Sequence, residues 1–287
     1  MSTKILEYLD AFLHFLNQAS SDWNKFVSVI KEENRFFPQP NIINYLEKIY
    51  KNNTIEIKEG TVFYRARKMD IEKKSDFSYD SDNKKILGFP KNEMGMPPRE
   101  KVTDGRANPS NIPYLYLASN IKTACAEVRC ELYDIISVMN FKLTRDLKVI
   151  DLTQYSLEGE QEYSLLFWKL QEAFKKYNNN YDKQFYVPTQ YVASFFASKT
   201  DINGIIFPTA RDASNDSYNL VLFNDKETSQ ISDNAFVYIC SGCSFDLNDI
   251  TNPDPKELNV CASISNKKDK IITKIRQKII DGIPKKI

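Results

Sequence analysis

The chain is predicted to be an α+β protein, with a mixed or antiparallel β core, flanking helices and a helical cap at its N-terminus. Three observations predict this. Apolar residues recur at helical spacing from residue 1 to about residue 50. Strands and helices then mix through the middle of the chain without the regular βαβ alternation of a doubly wound sheet. Two short, strongly apolar runs, NGIIFP and YNLVLFN, close the pattern as strands.

In the cap, Leu6, Leu9, Phe12, Leu13 and Leu16 form one apolar stripe, and Trp23, Phe26, Val27 and Ile30 form a second after a Ser-Ser-Asp break. Ser21 or Asp22 can cap the second helix. Phe37-Pro38-Gln39-Pro40 ends the pattern, and NIINYLEKIY supplies a third, short helix. The apolar faces are expected to serve as core. From residue 61, TVFYRAR alternates and is rich in β-formers, so it reads as a strand.

Residues 68–110 are polar and punctuated by Gly88, Pro90, Gly95, Pro97, Pro98, Gly105 and Pro109. A loop of that length inside a domain tends to be functional, and part of it is expected to fold over a site. IPYLYLAS is the next strand. Ser119 or Asn120 can cap a helix running to about residue 133, with Ile121, Ala124, Cys125, Val128 and Leu132 as its buried stripe. ISVMNFKL and LKVIDL read as strands, and LEGEQEYSLLFWKLQEAFKKY as an amphipathic helix broken by Asn178-Asn179-Asn180. PTQYVASFFASK starts a helix near Pro188, whose fixed backbone angle suits a first turn. The lysine-rich DKIITKIRQKIIDG ends the chain as a helix. Three parts follow: a cap over 1–55, a central domain over 56–230 and a C-terminal extension over 231–287.

Composition narrows the function. With 39 Lys+Arg against 38 Asp+Glu, the formal charge is +1, which removes the electrostatic footprint of a general nucleic-acid binder. No apolar run approaches the roughly 20 residues that cross a bilayer, and the N-terminus lacks the pattern of a secretion signal. Five cysteines at no framework spacing favour a reducing cytoplasm. Cys240 and Cys243 form a CxxC with Cys261 beyond, but His14 is the only histidine, so no metal site is expected and the thiols read as ordinary packing residues. One histidine also argues against Ser-His or Cys-His catalysis. No GxGxxG follows a strand and no phosphate-loop signature is present.

What remains is arginine, tyrosine and carboxylate chemistry around one strand. Arg106 lies in a glycine- and proline-flanked turn, Tyr114 and Tyr116 share one face of the strand, Leu115 and Leu117 share the other, and Glu127 falls outside the buried stripe of the following helix. The leucine face is expected to pack into the core and the tyrosine face to line a cleft. Each residue also has a plain reading: Arg106 as a solvated loop residue, Tyr116 as a core aromatic, Glu127 as exposed or paired with Arg129.

The run GRANPSNIPYLYLASNIKTACAEVR resembles the hallmark of the RES-domain family, a GR-x-N-P-x-G-x-P-x-LYLA segment followed by a helix with AxxEV-like chemistry. FYRAR at 63–67, YVPTQYVASFF at 186–196, NGIIFPTA at 203–210 and NLVLF at 219–223 fit the family in order, so the resemblance spans about residues 60–225. It implies an ADP-ribosyltransferase-like fold and a toxin of a bacterial toxin–antitoxin pair that consumes NAD+ as substrate, with no resident cofactor and a cognate antitoxin as partner. It further implies an active site of Arg106, Tyr116 and Glu127 with Arg65, Arg67 being the competing choice for that arginine. The family serine falls on Thr209, which keeps the hydroxyl and adds a methyl. Asn111 stands where the family has glycine, which is expected to shift that turn slightly. A non-catalytic module that holds a nucleotide or a partner is the alternative.

Breaking the nicotinamide–ribose bond passes through a cation-like sugar, which a positioned carboxylate such as Glu127 stabilises. Guanidinium groups such as Arg65 and Arg106 grip pyrophosphate oxygens through paired charge-assisted bonds, and tyrosine offers a flat face for nicotinamide.

Overall fold

The computed structural model describes residues 21–242 apart from short stretches, of which 155–160, 177–181 and 210–216 are the longest, together with 247–248 and 257–258. The first apolar stripe with His14, the C-terminal helix, the asparagine break at 178–180, Cys243 and Cys261 lie outside the described residues. The protein is α+β. It divides into two compact units: residues 1–64, 95–123 and 141–229 form the first, and residues 65–94, 124–140 and 230–287 the second.

In the first unit, a helix over residues 21–28 (α1) runs into a π-helical turn at Val29–Glu33, closed by Asn34 N donating to Val29 O at 2.7 Å. Helix α2 follows at Pro40–Asn52. The strands are β1 (Thr54–Ile57), the start of β2 (Val62–Met69), β5 (Leu115–Ala118), β7 (Leu147–Asp151), β8 (Gly204–Pro208) and β9 (Tyr218–Leu222), in the order β1-β7-β8-β9-β5-β2. All neighbours are antiparallel except β7 and β8. Parallel strands need a long crossover, and the chain between them supplies α5 (Gln161–Lys175) and α6 (Val187–Ala197).

One face of this sheet meets the helices. Ile150, Ile205, Phe207, Val221 and Tyr114 share a single core cluster with Trp23, Phe26 and Ile30 of the first helical segment, Tyr45, Leu46 and Ile49 of α2, Phe167, Leu170 and Phe174 of α5, and Val192, Ala193 and Phe196 of α6. Helices α1 and α2 therefore contribute core, as their apolar faces predict. The expectation for β5 is corrected. Register pairs Tyr116 with Val221, and Val221 with Ile205, so the tyrosine face belongs to the helix-covered row rather than to an open cleft. Tyr114 is buried against Phe223, ring centroids 5.1 Å apart, and Leu115 and Leu117 on the opposite face are buried as well. Strand alternation assigns two faces but does not say how many of them are covered.

The second unit carries the remainder of β2, a hairpin of β3 (Ser78–Asp80) and β4 (Lys85–Leu87), a one-turn helix α3 (Lys91–Met94), and the antiparallel pair β6 (Ile135–Leu143) and β11 (Phe236–Ile239). β6 itself continues into the first unit beyond Asn140, and the short β10 (Thr228–Gln230) is likewise shared between the two. The 68–110 stretch thus holds short elements, including a 3-10 turn at Arg99–Lys101.

Helix α4 spans Ile121–Glu127, shorter than its apolar stripe predicts. Arg129 adopts φ 55°, Cys130 N donates to Cys125 O and Arg129 N donates to Ala126 O. These two bonds are the left-handed cap that ends helices, here without the usual glycine. Leu132, expected in the buried stripe, lies past this cap and is exposed.

Candidate functional site

In the first unit, the turn before β5 is built almost wholly from its own polar groups. Gly105 N donates to Asn108 O at 2.8 Å, closing a tight turn over residues 105–108. Asn108 is buried; its Nδ2 donates to Thr103 O and Pro109 O, both at 3.1 Å. The Tyr116 hydroxyl donates to Asn108 Oδ1 at 2.7 Å and accepts from Ala107 N at 3.0 Å. A side chain at residue 105 has no room: its Cβ would overlap Asn108 Oδ1 and lie 2.7 Å from the Tyr116 hydroxyl. Asp104 Oδ1 accepts from Ser110 N at 3.0 Å. Asn111 sits at φ 67°, a conformation asparagine tolerates, so the turn expected to shift is formed in the left-handed geometry that glycine favours.

Arg106 is buried rather than solvated. Its Nη1 donates to Phe174 O in the last turn of α5 at 3.0 Å, and its guanidinium lies 5.1 Å from the centre of the Phe207 ring. A cation placed on a terminal helix carbonyl meets the negative end of the helix dipole, and the ring face adds a second favourable contact. Burial pushes the Tyr116 phenol well above its ordinary value, against the opposing bond from Ala107 N and the nearby Arg106 charge. Tyr116 therefore remains neutral at physiological pH and acts as a hydrogen-bonding group rather than a base. Thr209, directly after β8, is buried.

Two buried polar side chains of the first unit, Gln190 and Ser217, were passed over by the sequence reading. Gln190 of α6 is buried, and its Nε2 faces Asp104 Oδ1 at 3.2 Å, Gly105 O at 3.1 Å and Asn108 O at 3.0 Å. Its signal in the sequence is a lone amide among the apolar residues of α6. Ser217, at the foot of β9, is buried and shares hydrogen bonds with Thr123 Oγ1 at 3.0 Å and Asn120 Nδ2 at 3.3 Å. Asn120 Oδ1 accepts from Thr123 N at 2.8 Å, which makes Asn120 the N-cap of α4.

Arg65, Arg67 and Glu127 belong to the second unit. Arg65 and Arg67 stand two residues apart on β2, on one face of the strand. Burial, and then the Arg67 charge, lower the Arg65 guanidinium to about 10. Arg67 Nη1 donates to Glu93 O at 2.7 Å and approaches Glu93 Oε2 at 3.8 Å, while its guanidinium stacks 4.3 Å from the centre of Phe89. Glu127 is the last residue of α4 and is half-buried. It lies at the helix end where the dipole disfavours a carboxylate, and two residues before the left-handed Arg129. The structure brings Arg106 and Tyr116 together within the first unit and Arg65 with Arg67 within the second.

No curated protein matches the chain. The family model described as the RES domain matches residues 87–238, more than half of the sequence. The match includes Arg106, Tyr116, Glu127 and Thr209, together with Asn108, Gln190 and Ser217; the FYRAR strand with Arg65 and Arg67 precedes it. From the Gly105 turn to β11, these residues lie within one matched segment, and the chain belongs to the RES domain family.

Proposed function

We propose that this RES-domain protein consumes NAD+ by cleaving the bond between nicotinamide and ribose, with residues 56–230 as its catalytic region. The observation that carries the reading is Glu127, a half-buried carboxylate at the unfavourable end of α4, followed by a non-glycine residue held at positive φ. Local arrangements that cost stability and persist gather at functional sites.

In the proposed reaction the ribose C1′–N bond breaks and its electron pair leaves with nicotinamide. The Glu127 carboxylate stabilises the cation-like ribose, and an oxygen of water, phosphate or a protein side chain then bonds to C1′ and releases its proton. Taken one by one, the remaining roles that the resemblance implies are a pyrophosphate contact for Arg106 and for Arg65, or Arg67 in its place, an orienting hydroxyl for Tyr116 and a hydroxyl for Thr209. Depletion of NAD+ in the cytoplasm would arrest growth, and a cognate antitoxin would cover the site.

A second reading, a module that holds a nucleotide or a partner without turnover, is favoured by one observation: the Arg106 and Tyr116 bonds described above run inward to the protein's own groups. Incubating the purified protein with NAD+ and following free nicotinamide decides between them. Release by the wild type and its loss in Glu127→Gln support the enzyme; binding without release supports the module. Adding phosphate, and then a candidate acceptor protein, identifies the acceptor.

A further inference from the structure

We propose that Gln190 is a positioning residue, which sets the 104–108 turn and through it Arg106 and Tyr116. The inference rests on the NAD+ reading above and adds a residue to it. The side-chain nitrogen of Gln190 faces three oxygens, Asp104 Oδ1, Gly105 O and Asn108 O, at 3.0–3.2 Å. Flipping the amide would aim its oxygen at the same three acceptors, so chemistry dictates the orientation. An amide NH₂ has two hydrogens, which three oxygens must share, and each of those oxygens belongs to the turn. Asn108 O also accepts from Gly105 N, so Gln190 bonds to the carbonyl that closes the turn.

The turn is held from two sides. Gln190 reaches it from α6, and the Tyr116 hydroxyl reaches it from β5 through Ala107 N and Asn108 Oδ1. Arg106 is the residue between the two sets of contacts. With its neighbours fixed, its side chain is directed toward Phe174 O and the Phe207 ring. A buried amide suits this role, because it supplies donors to the Gly105 and Asn108 carbonyls and adds no charge beside Asp104.

The test uses the full-length chain. Gln190→Glu keeps the size and removes the donor, presenting a carboxylate to three acceptor oxygens. Gln190→Lys loses the shape and restores donors. Nicotinamide release from NAD+ is measured at a temperature well below the unfolding midpoint of each variant. The expected result is a kcat lower by on the order of tenfold or more in Gln190→Glu, as follows from small misplacements of reacting groups, with most of it recovered in Gln190→Lys. A kcat within about twofold of wild type in a folded Gln190→Glu protein, even with a lowered unfolding midpoint, would reduce Gln190 to packing and overturn the proposal.

Should Gln190→Glu fail to fold, Gln190→Ala, which removes the amide, and Tyr116→Phe are compared singly and together by urea unfolding. Losses that overlap support a shared turn, and losses that add overturn it. A wild-type protein that releases no nicotinamide defeats the NAD+ reading instead, and the urea comparison then judges the turn by itself.

Discussion

The hydroxyl of Tyr116 donates to Asn108 Oδ1 at 2.7 Å while accepting from Ala107 N, so one side chain of β5 holds the two residues that follow Arg106 in its turn. This relationship gives the tyrosine a role that a core aromatic does not have. Tyr116→Phe keeps the ring and strands two polar groups, Ala107 N and Asn108 Oδ1. It is expected to lose about 1–3 kcal/mol of stability, read from the urea midpoint at unchanged slope.

Gly105 is required by the same contact. A Cβ there would overlap Asn108 Oδ1 and lie 2.7 Å from the Tyr116 hydroxyl, so Gly105→Ala must displace both partners of that hydrogen bond or the turn itself. The expected loss is about 1–3 kcal/mol. Combining it with Tyr116→Phe, which removes one of the two obstructing groups and releases Asn108 Oδ1 from its hydrogen bond, should cost less than the two single losses added together, as a urea double-mutant cycle would show.

Glu127→Gln is expected to leave the fold intact and lower nicotinamide release by about 10²–10³-fold, the usual consequence of losing a charge aimed at a transition state. Circular dichroism checks the fold and product chromatography the rate. Near-normal turnover would remove Glu127 from the reaction.

Arg129→Gly bears on the cap of α4. A left-handed non-glycine residue costs roughly 1–2 kcal/mol, and glycine returns part of that gain as backbone entropy. The variant should be more stable by up to about 1 kcal/mol, measured by thermal or urea unfolding. A loss of stability would mean that the Arg129 side chain contributes more than its backbone strain costs.

Asp146 accepts from Glu59 N at 2.7 Å and from Lys58 Nζ at 2.9 Å, and these contacts, the backbone bond first, hold its carboxyl below the ordinary 3.8. A depressed carboxyl contributes stability that is full above its unfolded value and is lost as pH falls through the folded one. The Asp146 contribution should therefore fade only below about pH 4. Asp146→Asn should flatten that part of the acid-unfolding curve and leave the neutral region nearly parallel to wild type.

Much of the fold was legible because local rules determine it. Alternation placed β2 and β5, the apolar runs placed β8 and β9, the helical pattern placed α2 and α5, and Pro188 marked the start of α6. The end of α4 was not legible, since the apolar stripe runs past a cap made by Arg129, a residue type that gives no stop signal. The burial of Tyr114 was hidden for a different reason: whether a second face is covered depends on helices remote in the chain. For the candidate site, the turn, the strand and Glu127 were marked by residue type and order, whereas Gln190 was marked only by a lone amide in an apolar helix and Ser217 by no local pattern.

By itself the sequence determined the α+β class, most strand and helix positions and the segment in which Arg106, Tyr116 and Glu127 fall. Those features follow from backbone geometry and hydrophobic periodicity, which act over a few residues. Only the tertiary structure decided that Arg106 is buried against Phe174 O and Phe207, that the tyrosine face of β5 packs beneath helices, and that Gln190 reaches the Gly105 turn. Those contacts join residues 68 to 101 positions apart, and a hydrogen bond or ring contact at that separation is set by how the chain packs.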